Sequence, residues 1–147
     1  MVDNSLMPLL IVLTPILGTV TFVAIMIKRY LDNYIPLKVI VRHKGDKTEL
    51  IIQTKRKTTH INIGNFRIKE HREVLRWRTN GLGFGRYRLG KYTGKYGEVV
   101  SYAISDSGLL IDDIDGKRYY LAFDNIHEVI DAILDNSIKE KVIEVRK

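Results

Sequence analysis

The stretch Leu109–Leu134, LLIDDIDGKRYYLAFDNIHEVIDAIL, decides the reading of the fold. Two apolar segments, Leu109-Leu110-Ile111 and Tyr119-Tyr120-Leu121-Ala122-Phe123, flank Asp115-Gly116. Both turn residues tolerate positive φ, so the stretch spells a β-hairpin. Asp124 is then placed to cap a helix, in which Ile126, Val129, Ile130, Ile133 and Leu134 fall on one stripe. Asn136 is its expected stop. A one-sided helix following a hairpin must bury its stripe, and the available partner is a sheet. The chain is therefore expected to be mainly β, with a C-terminal helix packed on the strands.

Upstream, the pattern continues as strands. Leu37–Arg42, Glu49–Thr54 and Thr59–Ile63 are β-branched or alternating, with His43–Lys47 as a turn and Lys55-Arg56-Lys57 as a basic corner. Phe66–Thr79 is basic and fits either a strand or a short helix. Tyr87–Tyr92 alternates, and Val99–Ile104 leads into the turn Ser105-Asp106-Ser107-Gly108. About 110 residues are enough for one core, and no internal repeat interrupts them. The charged tail 138–147 carries Val142, Ile143 and Val145, which suits either a frayed extension or a strand that pairs with a partner.

The segment Arg76-Trp77-Arg78-Thr79-Asn80-Gly81-Leu82-Gly83-Phe84-Gly85-Arg86-Tyr87-Arg88-Leu89-Gly90-Lys91-Tyr92 resembles the central motif of the prokaryotic PH-like (bacterial PH) domains. That motif has an Arg, a Gly-x-Gly turn and an aromatic-x-x-Gly-x-aromatic strand. The hairpin at Asp115-Gly116 and Phe123-Asp124-Asn125 entering the last helix extend the similarity over 76–134, while 37–75 follows by layout. Gly85-Arg86 stands where the family pattern has Pro-Gly. The resemblance implies a PH-like antiparallel barrel, or two packed sheets, over 37–137, closed by one C-terminal helix. Many members of the family are membrane-anchored. Such a likeness bears on architecture more than on ligand.

Ahead of this domain, Leu9–Ile27 is an uncharged apolar run followed at once by Lys28 and Arg29. Its 19 residues reach about 28 Å as a helix, close to the hydrocarbon thickness of a bilayer. Thr14, Thr19 and Thr21 can bond to the preceding turn, and Pro15 is tolerated in such helices. A cleaved signal peptide would want a basic start and a small-residue cleavage site; the start here carries Asp3, and no A-x-A pattern follows. The expected organisation is a short extracytoplasmic N-terminus (1–7), a transmembrane helix (8–28), a juxtamembrane linker (29–36), the PH-like domain (37–137) and the tail (138–147). Residues 28–147 hold all 24 basic and 16 of the 17 acidic side chains, a net +8, so the positive-inside rule puts them in the cytoplasm. A single-pass protein of the cell membrane is expected. The absence of Cys agrees with a reducing compartment.

Motifs for chemistry fail on inspection. Gly85-x4-Gly90-Lys91-Tyr92 nearly spells a P-loop but ends in Tyr92 where a small hydroxyl is needed, and it alternates as a strand. Gly81-Leu82-Gly83 lacks the third glycine of a dinucleotide loop, Arg86 being there instead, and reads as a tight turn. Asp113, Asp115 and Gly116 suggest a calcium loop, yet Ile111 and Ala122 stand at its ligand positions. His43, His60, His71 and His127 share no spacing. No nucleophile–base pair stands out, so no enzyme activity, cofactor or metal is expected. The basic side chains Lys55, Arg56, Lys57, Arg67, Lys69, Arg72, Arg76, Arg78, Arg86 and Arg88 remain as candidates for anionic lipid headgroups or a protein partner. Some of that charge is accounted for by topology alone. Nucleic-acid stacking on Trp77, Tyr87 or Tyr92 ranks well behind, given the anchor. The sequence supports a membrane-tethered interaction module, or alternatively an oligomerising scaffold or accessory subunit. Thr14 and Gly18 offer a weak small-xxx-small pair for self-association.

Overall fold

The computed structural model describes residues 6–146; positions 1–5 of the expected extracytoplasmic segment, and Lys147, lie outside the described residues. Helix α1, Leu6–Tyr34, is 29 residues long and continues through Pro15. Among the described residues it is the one helix long and apolar enough to cross a membrane. The hydroxyls of Thr14, Thr19 and Thr21 donate to the carbonyls of Leu10, Pro15 and Leu17 at 2.7, 2.9 and 2.8 Å, which satisfies them without outside partners. Residues 29–34, read from the sequence as linker, are helical. The reason lies in their spacing: Leu31 and Tyr34 share one helix face and pack, with Ile35, against the domain's core.

Nine strands follow: β1 Lys38–Lys44, β2 Lys47–Gln53, β3 Thr58–Glu70, β4 Trp77–Phe84, β5 Tyr87–Gly94, β6 Gly97–Ala103, β7 Ser107–Asp113, β8 Arg118–Ala122 and β9 Glu140–Glu144. The short α2, His71–Val74, lies between β3 and β4, and α3, Ile126–Leu134, precedes β9. They form a mixed sheet in the order β4-β5-β6-β8-β7-β3-β2-β1-β9. The expected all-antiparallel arrangement is corrected at one pair, since β6 and β8 run parallel. Gly108 explains how β8 slots between β6 and β7: a Cβ there would stand 2.2 Å from the Leu121 carbonyl oxygen, so only glycine admits that approach.

Strand β3 organises the core. Its first half pairs with β2 and its second half with β7, with a register shift between Ile63 and Asn65. The bulge bends the strand and flips its faces, which is why the alternation of Ile61 and Ile63 moves to even positions at Phe66 and Ile68. Val39, Val41, Leu50, Ile52 and Ile61 from one half of the sheet then share one buried cluster with Leu89, Tyr102, Leu109, Ile111 and Leu121 from the other. Val129, Ala132 and Ile133 of α3 join it. A second cluster on the opposite face holds Tyr92, Val99, Leu110, Tyr120 and Ala122 beneath Val74 and Leu75. Strands β7 and β8 are thus buried on both faces, and so read as unbroken apolar runs.

Four details depart from expectation. Leu134 ends the predicted stripe yet is 65 % exposed, and Ala132 is buried instead. Asp124 makes no cap; its carboxylate accepts from Arg86 at 2.8 Å. Asn125 holds the N-cap position, with its side chain turned to β9: Nδ2 donates to the Glu144 carbonyl at 2.8 Å and Oδ1 accepts the Arg146 amide at 2.8 Å. Gly81-Leu82-Gly83 is strand, and the turn falls at Gly85, with φ 55°. The tail is strand β9 along β1, with Ile40 opposite Val142.

Candidate functional site

The basic side chains singled out in the sequence fall into three groups around the domain, and the first meets the base of α1. The corner Lys55-Arg56-Lys57 is held as a tight loop by the Thr54 amide bonding to the Lys57 carbonyl at 2.9 Å and the Lys57 amide bonding to Thr54 Oγ1 at 3.0 Å. That places Arg56 Nε 3.7 Å and Lys55 Nζ 4.0 Å from the Asp32 carboxylate, while the Arg56 amide donates to the Asp32 carbonyl at 3.3 Å. Lys57 Nζ lies 5.3 Å from the Tyr34 ring centre, a cation–π distance. Tyr34 in turn packs on Tyr102, ring centres 5.6 Å apart. Tyr102 meets Thr59 hydroxyl to hydroxyl at 3.1 Å, and burial pushes its phenol pKa up. One turn back on the same face of the helix, Tyr30 stacks on Tyr34, ring centres 6.3 Å apart, and donates to Asn80 Oδ1 at 2.6 Å. Met26, Arg29, Asn33 and these three residues line a crevice of about 220 Å³.

The second group is partly paired with acids. Arg67 lies 3.3 Å from Asp112 and 4.8 Å from the Tyr96 ring centre, and Arg118 Nε donates to the same Asp112 at 3.1 Å. Lys69 sits 3.5 Å from Glu73, and Arg72 beside them is exposed.

The third group, Arg76, Arg78 and Arg88, borders a shallow groove of about 310 Å³ with Leu75, Gly83, Phe84 and Tyr92. The local sequence explains its shape. Glycine at 81 and 83 lets Tyr92 lie across β4: a Cβ at Gly83 would come within 2.9 Å of the Tyr92 hydroxyl, which donates to the Leu82 carbonyl at 2.6 Å. Burial raises the Tyr92 pKa, and the guanidinium groups of Arg88 and Arg78 pull it back down. Arg88 folds onto the carbonyl of Tyr87 at 3.0 Å and that of Gly85. Arg86 belongs elsewhere, on Asp124.

Three of the four histidines are occupied by structure, and His127 is exposed on α3. His43 Nε2 is 2.7 Å from the Ala132 carbonyl, His71 Nδ1 is 3.0 Å from that of Asp106, and His60 Nδ1 is 2.7 Å from Glu49. Asp113 accepts the Asp115 amide at 3.1 Å, so its carboxylate serves the hairpin turn. Among the described residues no cluster of three His, Cys, Asp or Glu is placed to hold a metal ion. What these arrangements offer chemically is cationic and hydrogen-bond-donating surface, suited to anions.

Sequence reasoning did not place Asp32, Arg29 or Asn80 among the candidate site residues. Asp32 had a signal: it is the only acid between Lys28 and Gly45, directly after the apolar helix. No protein-family model, no curated protein and no solved structure matches the chain.

Proposed function

We propose that this chain is a non-enzymatic interaction module held against the cytoplasmic face of the cell membrane by α1. One observation carries the reading: the helix is built into the domain instead of being strung from it. Leu31, Tyr34 and Ile35 pack on the core, Asp32 holds Arg56 and Lys55, and Tyr30 holds Asn80. A single-pass anchor on a flexible linker leaves its domain free to tumble; this one gives the domain a fixed pose on the bilayer. Net +8 on residues 28–147 supports the cytoplasmic orientation. The folded-over sheet with a helix on its core supports a PH-like reading of 37–137. The ligand class favoured is the anionic lipid headgroup, since each Lys or Arg near such a leaflet contributes about 1 kcal/mol.

The test uses the chain's lack of cysteine. A Lys139→Cys variant should stay with membranes through an alkaline carbonate wash. It should react with a membrane-impermeant maleimide only after the cells are opened. Release by carbonate, or labelling of intact cells, would sink the reading. The free edges of β4 and β9 favour a second reading, side-by-side assembly of anchored copies. Cross-linking that gives only monomers in native membranes would count against that one.

A further inference from the structure

The pose of α1 decides which part of the domain faces the bilayer. Met26, still inside the apolar run, shares a crevice with Asn80 of β4, and Tyr30 bonds to that same Asn80. One turn further on, Tyr34 packs on Tyr102 of β6, two strands into the sheet. Four residues of helix rise about 6 Å, while β4 and β6 lie about 10 Å apart. Moving away from the apolar run along α1 is therefore moving inward across the sheet. Edge strand β4 is the strand nearest the membrane among those α1 touches.

This edge has an unusual composition. From Val74 to Gly97 there are six basic and no acidic side chains. Arg76 and Arg78 are exposed and have no ion-pair partner among the described residues. Trp77 between them is 71 % exposed, and Phe84 at the far end of β4 is 54 % exposed. In a water-facing strand a bare tryptophan between two unpaired arginines has no structural role. At a bilayer surface each has a place: indole in the headgroup zone, guanidinium on phosphate. The outer edge of β4 also leaves backbone N–H and C=O groups unpaired in the sheet order. Those groups exclude insertion into hydrocarbon but are satisfied by headgroups and their water.

We infer that β4, through Arg76, Trp77, Arg78 and Phe84, is a docking edge for the anionic lipid leaflet from which α1 emerges. The inference rests on the tethered reading above and narrows it. The corner Lys55-Arg56-Lys57, equally close to α1, is partly neutralised by Asp32, whereas β4 offers its charge free.

Trp77 is the only tryptophan in the chain, so it reports its own environment. The full-length protein is reconstituted into vesicles of phosphatidylcholine alone or mixed with phosphatidylglycerol. With phosphatidylglycerol, its emission should shift to the blue, acrylamide quenching should fall, and lipids brominated near the headgroup should quench it. High salt, or the double variant Arg76→Gln with Arg78→Gln, should reverse the shift while the circular dichroism spectrum stays unchanged. Water-like, acrylamide-accessible emission in both vesicle types, from protein that resists carbonate, overturns the docking edge and leaves the tether standing. Release by carbonate overturns both. Protection in both lipids without quenching by brominated lipid, growing with protein density, overturns it in favour of a second copy pairing along β4.

Discussion

The β7–β8 and β4–β5 hairpins are built from the same secondary structure and differ in what covers them. The first is buried on both faces: Leu109, Ile111 and Leu121 point into one cluster, Leu110, Tyr120 and Ala122 into the other. Even its fully buried phenol is satisfied internally, with the Tyr120 hydroxyl donating to the Lys69 carbonyl at 2.7 Å. The second lies at the edge of the sheet, with an exposed tryptophan and a run of glycines. Stability resides in the former. In the latter only β5 buries side chains in the core, Leu89 and Tyr92, while β4 buries no side chain fully and spends its sequence on surface.

The largest effect that would break this contrast is a core truncation. Leu109→Ala removes a fully buried side chain and should lower the unfolding free energy by about 3 kcal/mol. Phe84→Ala, half-exposed on β4, should change it by about 0.5 kcal/mol or less. Denaturant titration of the full-length protein in detergent, followed by circular dichroism, compares the two. Equal losses would show that β4 is part of the core and not a surface strand.

Next come the glycines that shape the β4–β5 hairpin. At Gly81 a Cβ would stand 2.4 Å from the Leu89 carbonyl oxygen, so Gly81→Ala has to push the two strands apart, at about 2 kcal/mol. Gly85 has open space around it but φ at 55°, so Gly85→Ala should lose only about 1 kcal/mol, through backbone strain, and Gly85→Asn less. An Ala at 85 as damaging as an Ala at 81 would mean that the turn, not the interstrand approach, governs this hairpin.

These glycines also mark where the sequence could be read and where it could not. The β7–β8 hairpin and α3 were legible because burial on both faces, or on one stripe, writes itself as apolar periodicity. The core strands β1, β2, β5 and β6 were legible for the same reason. Strand β4 was not: Gly81 and Gly83 look like a turn, and only the close approach of the Leu89 carbonyl to Gly81 and of the Tyr92 side chain to Gly83 explains why glycine sits in a strand. The bulge at Gly64 hid the second half of β3. The parallel placement of β8 is a long-range choice that no local pattern encodes. At the site, the basic residues were legible as types, but their sorting was not. Asp32 takes up part of the charge of Lys55 and Arg56, Asp112 that of Arg67, and Asp124 that of Arg86, all across 23 to 45 positions of chain.

A smaller effect sharpens the division between structural and free charge. Arg78→Gln should leave stability within about 0.5 kcal/mol of the parent, because no acid pairs with it among the described residues. Arg67→Gln strands Asp112 beside one cation instead of two and should lose more, about 1 kcal/mol. The same denaturant titration reads both, and a larger loss at Arg78 would show that β4 uses its arginines for folding.

The smallest effect is a pH dependence, and it belongs to the other half of the sheet. Glu49 accepts from His60 at 2.7 Å and lies 3.7 Å from Lys44 and 3.9 Å from Arg42. The hydrogen bond from His60, with help from the two cations, holds its carboxyl below the usual carboxylate range, against the opposing pull of burial. A lowered pKa in the folded state means that the unfolded chain binds more protons in acid, so stability rises with pH through that window and is lost as pH falls below the ordinary carboxylate range. Glu128, bonded to Asn125, and Asp135, bonded to Ser137, are lowered in the same sense. Glu49→Gln should therefore flatten only part of the acid slope in unfolding midpoints measured from about pH 3 to 7. Between Val74 and Gly97 there is no carboxylate at all, so β4 and β5 add nothing to that slope. An unchanged slope in Glu49→Gln would mean that the His60 contact does not persist in solution, and that the first three strands are held by their apolar side chains alone.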